Sequence, residues 1–282
     1  MVRARGRLTL RGTTFAWGTR TYVMGIVNVT PDSFSGDGVV EPMQAAARAV
    51  LQWNDGADLL DLGGQSTRPG HLPVDDAVET ERVVPVIGDV RANLPEAPIS
   101  VDTYKPSVLR SARAAGADLV NSVWGASDEL LETAAELAMP LVAMHNQTGT
   151  VYDEPVVDAV LRYLEDCASR ALARGIAPDA IVLDPGIGFG KTADHNLEVL
   201  RGLHRVVALG FPTMIGTSRK STIGKLTGKA PADRVFGTVA TTALAVAAGI
   251  DVVRVHDVAA ARDAVAVSDA VVRDWRPSGW TG

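Results

Sequence analysis

Only one cysteine, Cys167, occurs in the 282 residues. A single thiol excludes an internal disulfide and a cysteine-rich zinc site. It lies in YLEDCASRAL, a helical run, and reads as a buried structural residue rather than a nucleophile. That usage suits a reducing compartment, so a cytoplasmic location is expected. No apolar run reaches the length of a membrane span, so no membrane partner is expected. The first residues, MVRARGRLTLRG, are basic but lack an apolar stretch behind them, and do not read as a secretory signal. Positive charge is not in excess: 27 Lys and Arg stand against 33 Asp and Glu. This argues against a nucleic-acid partner. No Ser/Gly/Pro-rich linker divides the chain, and 1–282 reads as a single domain. No GxGxxG follows the first strand, and no HExxH occurs among the scattered histidines. The run GIGFGKT fails as a phosphate-binding P-loop, because Gly186 and Gly190 enclose three residues where four are needed.

Apolar residues are plentiful, at 46%, enough to fill a large core. Short β-rich runs alternate with longer Ala-rich helical runs. The strand candidates are TYVMGIVNV, DLLDLGG, PISVD, DLVNSV, PLVAMHN, AIVLDPG, PTMIGT and DVVRVHD. Most are continuously apolar, as strands buried on both faces should be. The helical candidates cover 41–56, 74–92, 106–116, 155–174, 194–208, 231–249 and 258–274. Eight β-α alternations point to an α/β fold, a (β/α)8 TIM barrel. RLTLRGTTFAWGT reads as a short N-terminal β-hairpin closing the barrel's lower end.

Active sites in such barrels form at the C-terminal strand ends. Here those ends carry Asn28, Asp61, Asp102, Asn121, Met144-His145-Asn146, Asp184, Ser218-Arg219-Lys220-Ser221, and Arg254 with His256. Any single Asp before a turn reads equally as a helix cap or Asx-turn, and Asp61, ahead of Gly63-Gly64, is the leading structural case. A whole ring of such residues is not explained by capping, because buried charge is costly unless paired or in use. Asp102, Asn121 and Asp184 in an apolar cup suit a flat heterocycle with several N–H groups. Lys220 suits its carbonyl or a ring nitrogen. Arg254 and His256, two apart on one strand, share a face and form an anion site. Mg2+ held mainly through substrate phosphates needs only one or two protein ligands.

These residues resemble the dihydropteroate synthases of the pterin-binding barrel superfamily. The matching segments are MGIVNVTPDSFS, DLGGQSTRPG, ISVDTYKP, GADLVNSVWG, IVLDPGIGFGKTADHNLEVL, GTSRKSTIGKLTG and DVVRVHDV, in order along nearly the whole chain. The resemblance implies a transferase of folate biosynthesis. It would condense 6-hydroxymethyl-7,8-dihydropterin pyrophosphate with p-aminobenzoate to give 7,8-dihydropteroate and pyrophosphate. By that match Asp102, Asn121, Met144, Asp184 and Lys220 bind the pterin. Asn28, Arg254 and His256 take the pyrophosphate, with Asn28 the protein ligand of Mg2+. Phe34, Thr67, Arg68, Pro69 and Ser221 take p-aminobenzoate, and Asp37, Thr67, Arg68 and Lys220 carry catalytic roles. The family also implies a homodimer, with sulfonamides as competitors of p-aminobenzoate.

The sequence departs from the family pattern at four places. Gly36 stands where NVTPDSFSDGG has Asp, so that Asp37 takes that job from a shifted position. Gln65 replaces the Glu of GGESTRPG, Ser122 the Asp of IND, and Thr222 a larger apolar residue. The loop-1 shift and Thr222 raise the alternative of a sulfonamide-insensitive variant. Two rival functions are a methyltetrahydrofolate-dependent corrinoid methyltransferase and a non-catalytic pterin-binding relative. The first leaves Arg254, His256 and Lys220 without a purpose; the second predicts lost site residues.

Overall fold

The computed structural model describes residues 6–30, 42–66 and 73–281. Two short strands, β1 (Arg7–Leu10) and β2 (Thr13–Ala16), pair antiparallel as the expected hairpin. Eight strands then form one parallel sheet: β3 (Tyr22–Asn28), β4 (Leu59–Gly63), β5 (Ile99–Asp102), β6 (Leu119–Ser122), β7 (Leu141–Met144), β8 (Ile181–Asp184), β9 (Met214–Ile215) and β10 (Val252–Val255). Their order is β8-β7-β6-β5-β4-β3-β10-β9. A parallel bridge from Leu183 to Thr213 joins the two ends, and Leu183 N donates to Pro212 O at 2.9 Å. The sheet is thereby closed into a barrel.

Helices cross back between the strands: α1 (Pro42–Asn54), α2 (Asp76–Asn93), α3 (Pro106–Ala115), α4 (Asp128–Glu136), α5 (Val156–Ala173), α6 (Ala193–Arg201), α7 (Leu203–Val207), α8 (Ser221–Thr227), α9 (Val235–Ala248) and α10 (Val258–Val272). Two helical stretches and one strand differ from the sequence reading. The run 194–208 is two helices, because Gly202 leaves helical geometry at φ −88°, ψ 4°. A Cβ there would lie 3.0 Å from Val157 Cγ1, so glycine is what lets α5 pack close. Helix α4 is absent from the expected set, although its start was legible: Ser127 Oγ accepts from Leu130 N, and Asp128 and Glu129 follow in the first turn. The strand at PTMIGT keeps only two ladder residues, and the Asp251 carboxylate takes up Thr213 N at 2.9 Å and Thr213 Oγ1 at 3.1 Å.

Strand parity sorts the core into two clusters. Val23, Leu60, Val101, Val120, Leu141, Ile181, Ile215 and Val253 pack outward with the helices. Their strand neighbours Met24, Leu59, Leu119, Val142, Val182, Met214 and Val252 form a separate cluster inside the barrel. Phe15, Trp17 and Tyr22 seal that cluster from below, with Phe15 and Tyr22 centroids 4.8 Å apart. Trp17 Nε1 donates to Asp179 O at 2.8 Å, which satisfies the indole at the barrel floor. The hairpin therefore buries its aromatic side as a plug. Two residues further along each strand, the same parity places Asp61, Asn121, Met144, Asp184 and Arg254 inside, above this apolar floor.

Candidate active site

Five of the sequence-predicted site residues meet above the floor, together with Asp61. Asp61, Asp102, Asn121, Met144 and Asp184 are all buried, and Arg254 sits among them half-buried. Arg254 donates through Nε to Asp61 Oδ2 at 2.6 Å and through Nη2 to Asp102 Oδ2 at 2.9 Å. Asn121 Nδ2 donates to the same Asp61 oxygen at 2.9 Å. Asp61 is thus not a turn or cap residue; it is the hub that orients Arg254 and Asn121. Sequence reasoning set it aside because Gly63-Gly64 suggested a turn. Its parity with Asp102 was the signal that would have found it.

The other oxygens of this cluster are left over. Asp61 Oδ1, Asp102 Oδ1 and Asn121 Oδ1 are buried with no hydrogen-bond partner among the described residues. Buried acceptors are nearly always satisfied in a finished structure, so three together describe a site made for a ligand rich in N–H donors. Burial pushes the Asp102 carboxyl up to about 8, against the pull of Arg254, and the neighbouring Asp61 charge pushes the same way. Desolvation alone would lower Arg254; the two carboxylates more than offset it and hold the guanidinium above its ordinary range. Asp184 accepts from Gly186 N at 2.7 Å through Oδ1. Its pKa is raised by burial and pulled back by Lys220.

The loop after β8 shapes the opposite wall. Gly186 has φ +71°, and a Cβ there would lie 1.9 Å from His145 O, so no side chain fits. Lys191, which sequence reasoning dismissed with the failed P-loop, is buried beneath this loop. Its ammonium meets three acceptors: His145 Nδ1 at 2.8 Å, Gly186 O at 3.0 Å and Phe189 O at 3.1 Å. Burial lowers His145 to about 3, which keeps its ring neutral and able to accept. The loop so braced presents the Phe189 ring 4.5 Å from Lys220 Nζ, a cation–π contact, while Lys220 also donates to Ile187 O. Phe189 was not among the predicted residues.

The turn carrying Lys220 is pinned from behind. Arg219, at φ +57°, forks onto Asp257 at 3.0 and 2.5 Å, and its carbonyl accepts from Arg234 Nη1 at 2.8 Å. Arg219 is therefore a brace for the turn, and Lys220 is the residue it delivers. Ser218 Oγ accepts from His256 N at 3.1 Å and bonds His256 Nδ1 at 3.0 Å, which fixes the imidazole beside Arg254. Asn28 ends β3 at the barrel mouth, and Ser221 begins α8. Phe34, Asp37, Thr67, Arg68 and Pro69, together with Gly36, lie outside the described residues.

Burial lowers the Lys220 ammonium to about 7, with Asp184 pulling it back up. At pH 7 about half of such an amine is neutral, against about 0.04% of a lysine at the ordinary 10.4. An acylating reagent such as N-hydroxysuccinimidyl acetate at pH 7 is expected to modify Lys220 ahead of the exposed Lys229. Peptide mass spectrometry over a short time course checks this; faster labelling of Lys229 would contradict it.

Comparison with known proteins supplies an independent view. Residues 24–256 match the family described as pterin binding enzyme. A dihydropteroate synthase from Clostridium beijerinckii is 42% identical over 263 residues, covering 92% of this chain and 97% of the relative. The dihydropteroate synthase of Xanthomonas albilineans, solved with 4-aminobenzoic acid, is 41% identical with a TM-score of 0.88, over 95% of this chain and 98% of that one. That of Yersinia pestis, solved with a sulfonamide drug complex, is 37% identical with a TM-score of 0.89, over 94% and 99%.

Proposed function

Because the chain belongs to the pterin-binding enzymes and, among them, to the dihydropteroate synthases, we propose that the strand-end ring is where its two substrates meet. The reaction joins 6-hydroxymethyl-7,8-dihydropterin pyrophosphate to p-aminobenzoate and releases pyrophosphate. The observation that carries the residue assignment is the set of orphaned buried oxygens on Asp61, Asp102 and Asn121. Asp184, with one oxygen on Gly186 N, completes an acceptor-lined cup for the N–H edge of the pterin. Met144 supplies apolar contact to the ring, and Lys220 meets its carbonyl or a ring nitrogen.

Arg254 and His256 receive the pyrophosphate. As the C–O bond to the pterin methylene breaks, its electron pair goes to the pyrophosphate oxygen, and the ring delocalises the positive charge left on carbon. Arg254 is already aimed by Asp61 and Asp102, so it meets the developing anion with little reorganisation. The aminobenzoate nitrogen then attacks the methylene, and its proton passes to the released pyrophosphate. Ser221, Phe34, Thr67, Arg68 and Pro69 hold p-aminobenzoate, while Asp37, Thr67 and Arg68 act at the step itself. Sulfonamides would compete at that subsite.

No set of three His, Cys, Asp or Glu side chains among the described residues is arranged to hold a metal. The one neutral oxygen of Asn28 fits a hard cation that draws its other ligands from phosphate and water, as Mg2+ does. Mg2+ bound there would neutralise charge on the leaving pyrophosphate. The reading is tested by pyrophosphate release from dihydropterin pyrophosphate with Mg2+. Release that requires p-aminobenzoate, with a product of dihydropteroate mass, is the expected result. Bound pterin without release would point to a non-catalytic relative.

A homodimer and a cytoplasmic location complete the proposal. Supporting the first, the adjacent helices α9 and α10 expose Phe236, Leu244, Val267 and Val271, each more than 60% accessible. The double substitution Phe236→Glu with Leu244→Glu is expected to give a monomer in sedimentation velocity; an unchanged dimer would move the interface elsewhere.

A further inference from the structure

Asn196 lies on α6, outside every group of residues assigned above, yet it is 2% exposed. Asparagine is a poor choice for a helix interior, because its amide competes for backbone bonds. Here the amide does not serve its own helix. Its Oδ1 accepts from Gly188 N at 2.7 Å, and its Nδ2 donates to Thr222 Oγ1 at 3.1 Å. Gly188 belongs to the loop after β8, one residue before Phe189. Thr222 lies two residues after Lys220.

We infer that Asn196 and Thr222 are positioning residues that fasten the loop after β8 to the start of α8 and so hold Lys220 in register with Phe189 and Asp184. Lys220 itself reaches the loop at Ile187 O and the Phe189 ring, and the Asn196 bridge ties the loop backbone to α8 independently of that side chain. Gly188, at φ +83°, lets the Lys220 stem lie against the loop backbone: a Cβ there would be 3.0 Å from Lys220 Cδ. A slip between the segments therefore moves the Lys220 stem directly. Thr222 is buried, at 4% exposure, so its hydroxyl must find a partner inside the protein. Its hydroxyl is what Asn196 Nδ2 needs. The inference rests on Lys220 acting in the site.

Thr222→Val keeps the shape and removes the acceptor; Thr222→Ser keeps the acceptor. Lys220→Ala is assayed beside them, with kcat and KM for each substrate and with thermal unfolding. Thr222→Val is expected to lose about tenfold in kcat/KM, since a misplacement well under 1 Å at the reacting groups has effects of that order. Thr222→Ser is expected to stay within about twofold of the parent. A purely structural bond would lower the melting temperature of Thr222→Val and leave kcat and KM unchanged well below it. That outcome, or equal losses in Val and Ser, overturns the inference. Parent-like turnover in Lys220→Ala would remove the site reading, and the inference with it. Loss in Lys220→Ala with parent-like Thr222→Val would remove the inference alone.

Discussion

Asp184→Asn is expected to weaken dihydropterin binding by on the order of 100-fold while changing stability by less than about 1 kcal/mol. The substitution is isosteric. The amide oxygen can keep the bond from Gly186 N, now made by Oδ1 of the carboxylate at 2.7 Å. The second oxygen then becomes an NH2 group, so a donor faces the donor edge of the pterin. Losing a charge-assisted bond and gaining a buried mismatch is worth about 3 kcal/mol, which is the 100-fold. Folding gains no such penalty, because burial already disfavours the charged carboxyl at this position. Calorimetric titration with the pterin, beside denaturant unfolding, separates the two effects. Parent-like affinity would remove Asp184 from the pterin site, and a stability loss as large as the binding loss would make it a structural residue.

Arg254→Leu is expected to be the most damaging single change to the fold itself. Arg254 is the shared partner of Asp61 and Asp102, both buried, at 2.6 and 2.9 Å. Removing one member of a buried ionic cluster leaves charge unpaired and costs about 3–5 kcal/mol. Turnover should also vanish, since the leaving pyrophosphate loses its guanidinium. The pH dependence has a definite sign. Asp102 has a folded pKa near 8, above its unfolded value. A carboxyl shifted up contributes stability that is complete at low pH and is lost as pH rises through the folded value. Without Arg254 that upward shift grows, so the deficit of the variant against the parent should widen as pH rises past about 8, where Asp102 ionises beside the guanidinium in the parent but cannot in the variant. Adding Asp61→Asn should recover part of that extra loss by removing one of the two facing charges. Unfolding curves of parent and variant at about pH 6 and about pH 9.5 test this. An equal deficit at both values would show that packing, not charge, explains the damage.

Much of this molecule was legible before folding. Continuous apolar runs such as ISVD and IVLD announce strands covered on both faces, and their alternation with Ala-rich helices announces the barrel. Side-chain period then places Asp102, Asn121, Asp184 and Arg254 on one face of their strands, above residues that form the interior floor. Local chemistry also marks helix starts, and Ser127 with Asp128 and Glu129 was such a mark that the reading passed over.

What the sequence by itself determined is therefore period, polarity and order: which segments are strands, which side chains share a face, and which strand ends carry charge. What tertiary structure decided is partnership. Asp61 meets Arg254 across 193 residues, Lys191 meets His145 across 46, and Asn196 meets Thr222 across 26. None of these spacings matches a helical or strand repeat, because each bond joins segments from different β-α units. Barrel closure alone sets those distances, and a hydrogen bond is sensitive to a few tenths of an ångström. Local propensity acts over a few residues and has no term that registers such a meeting.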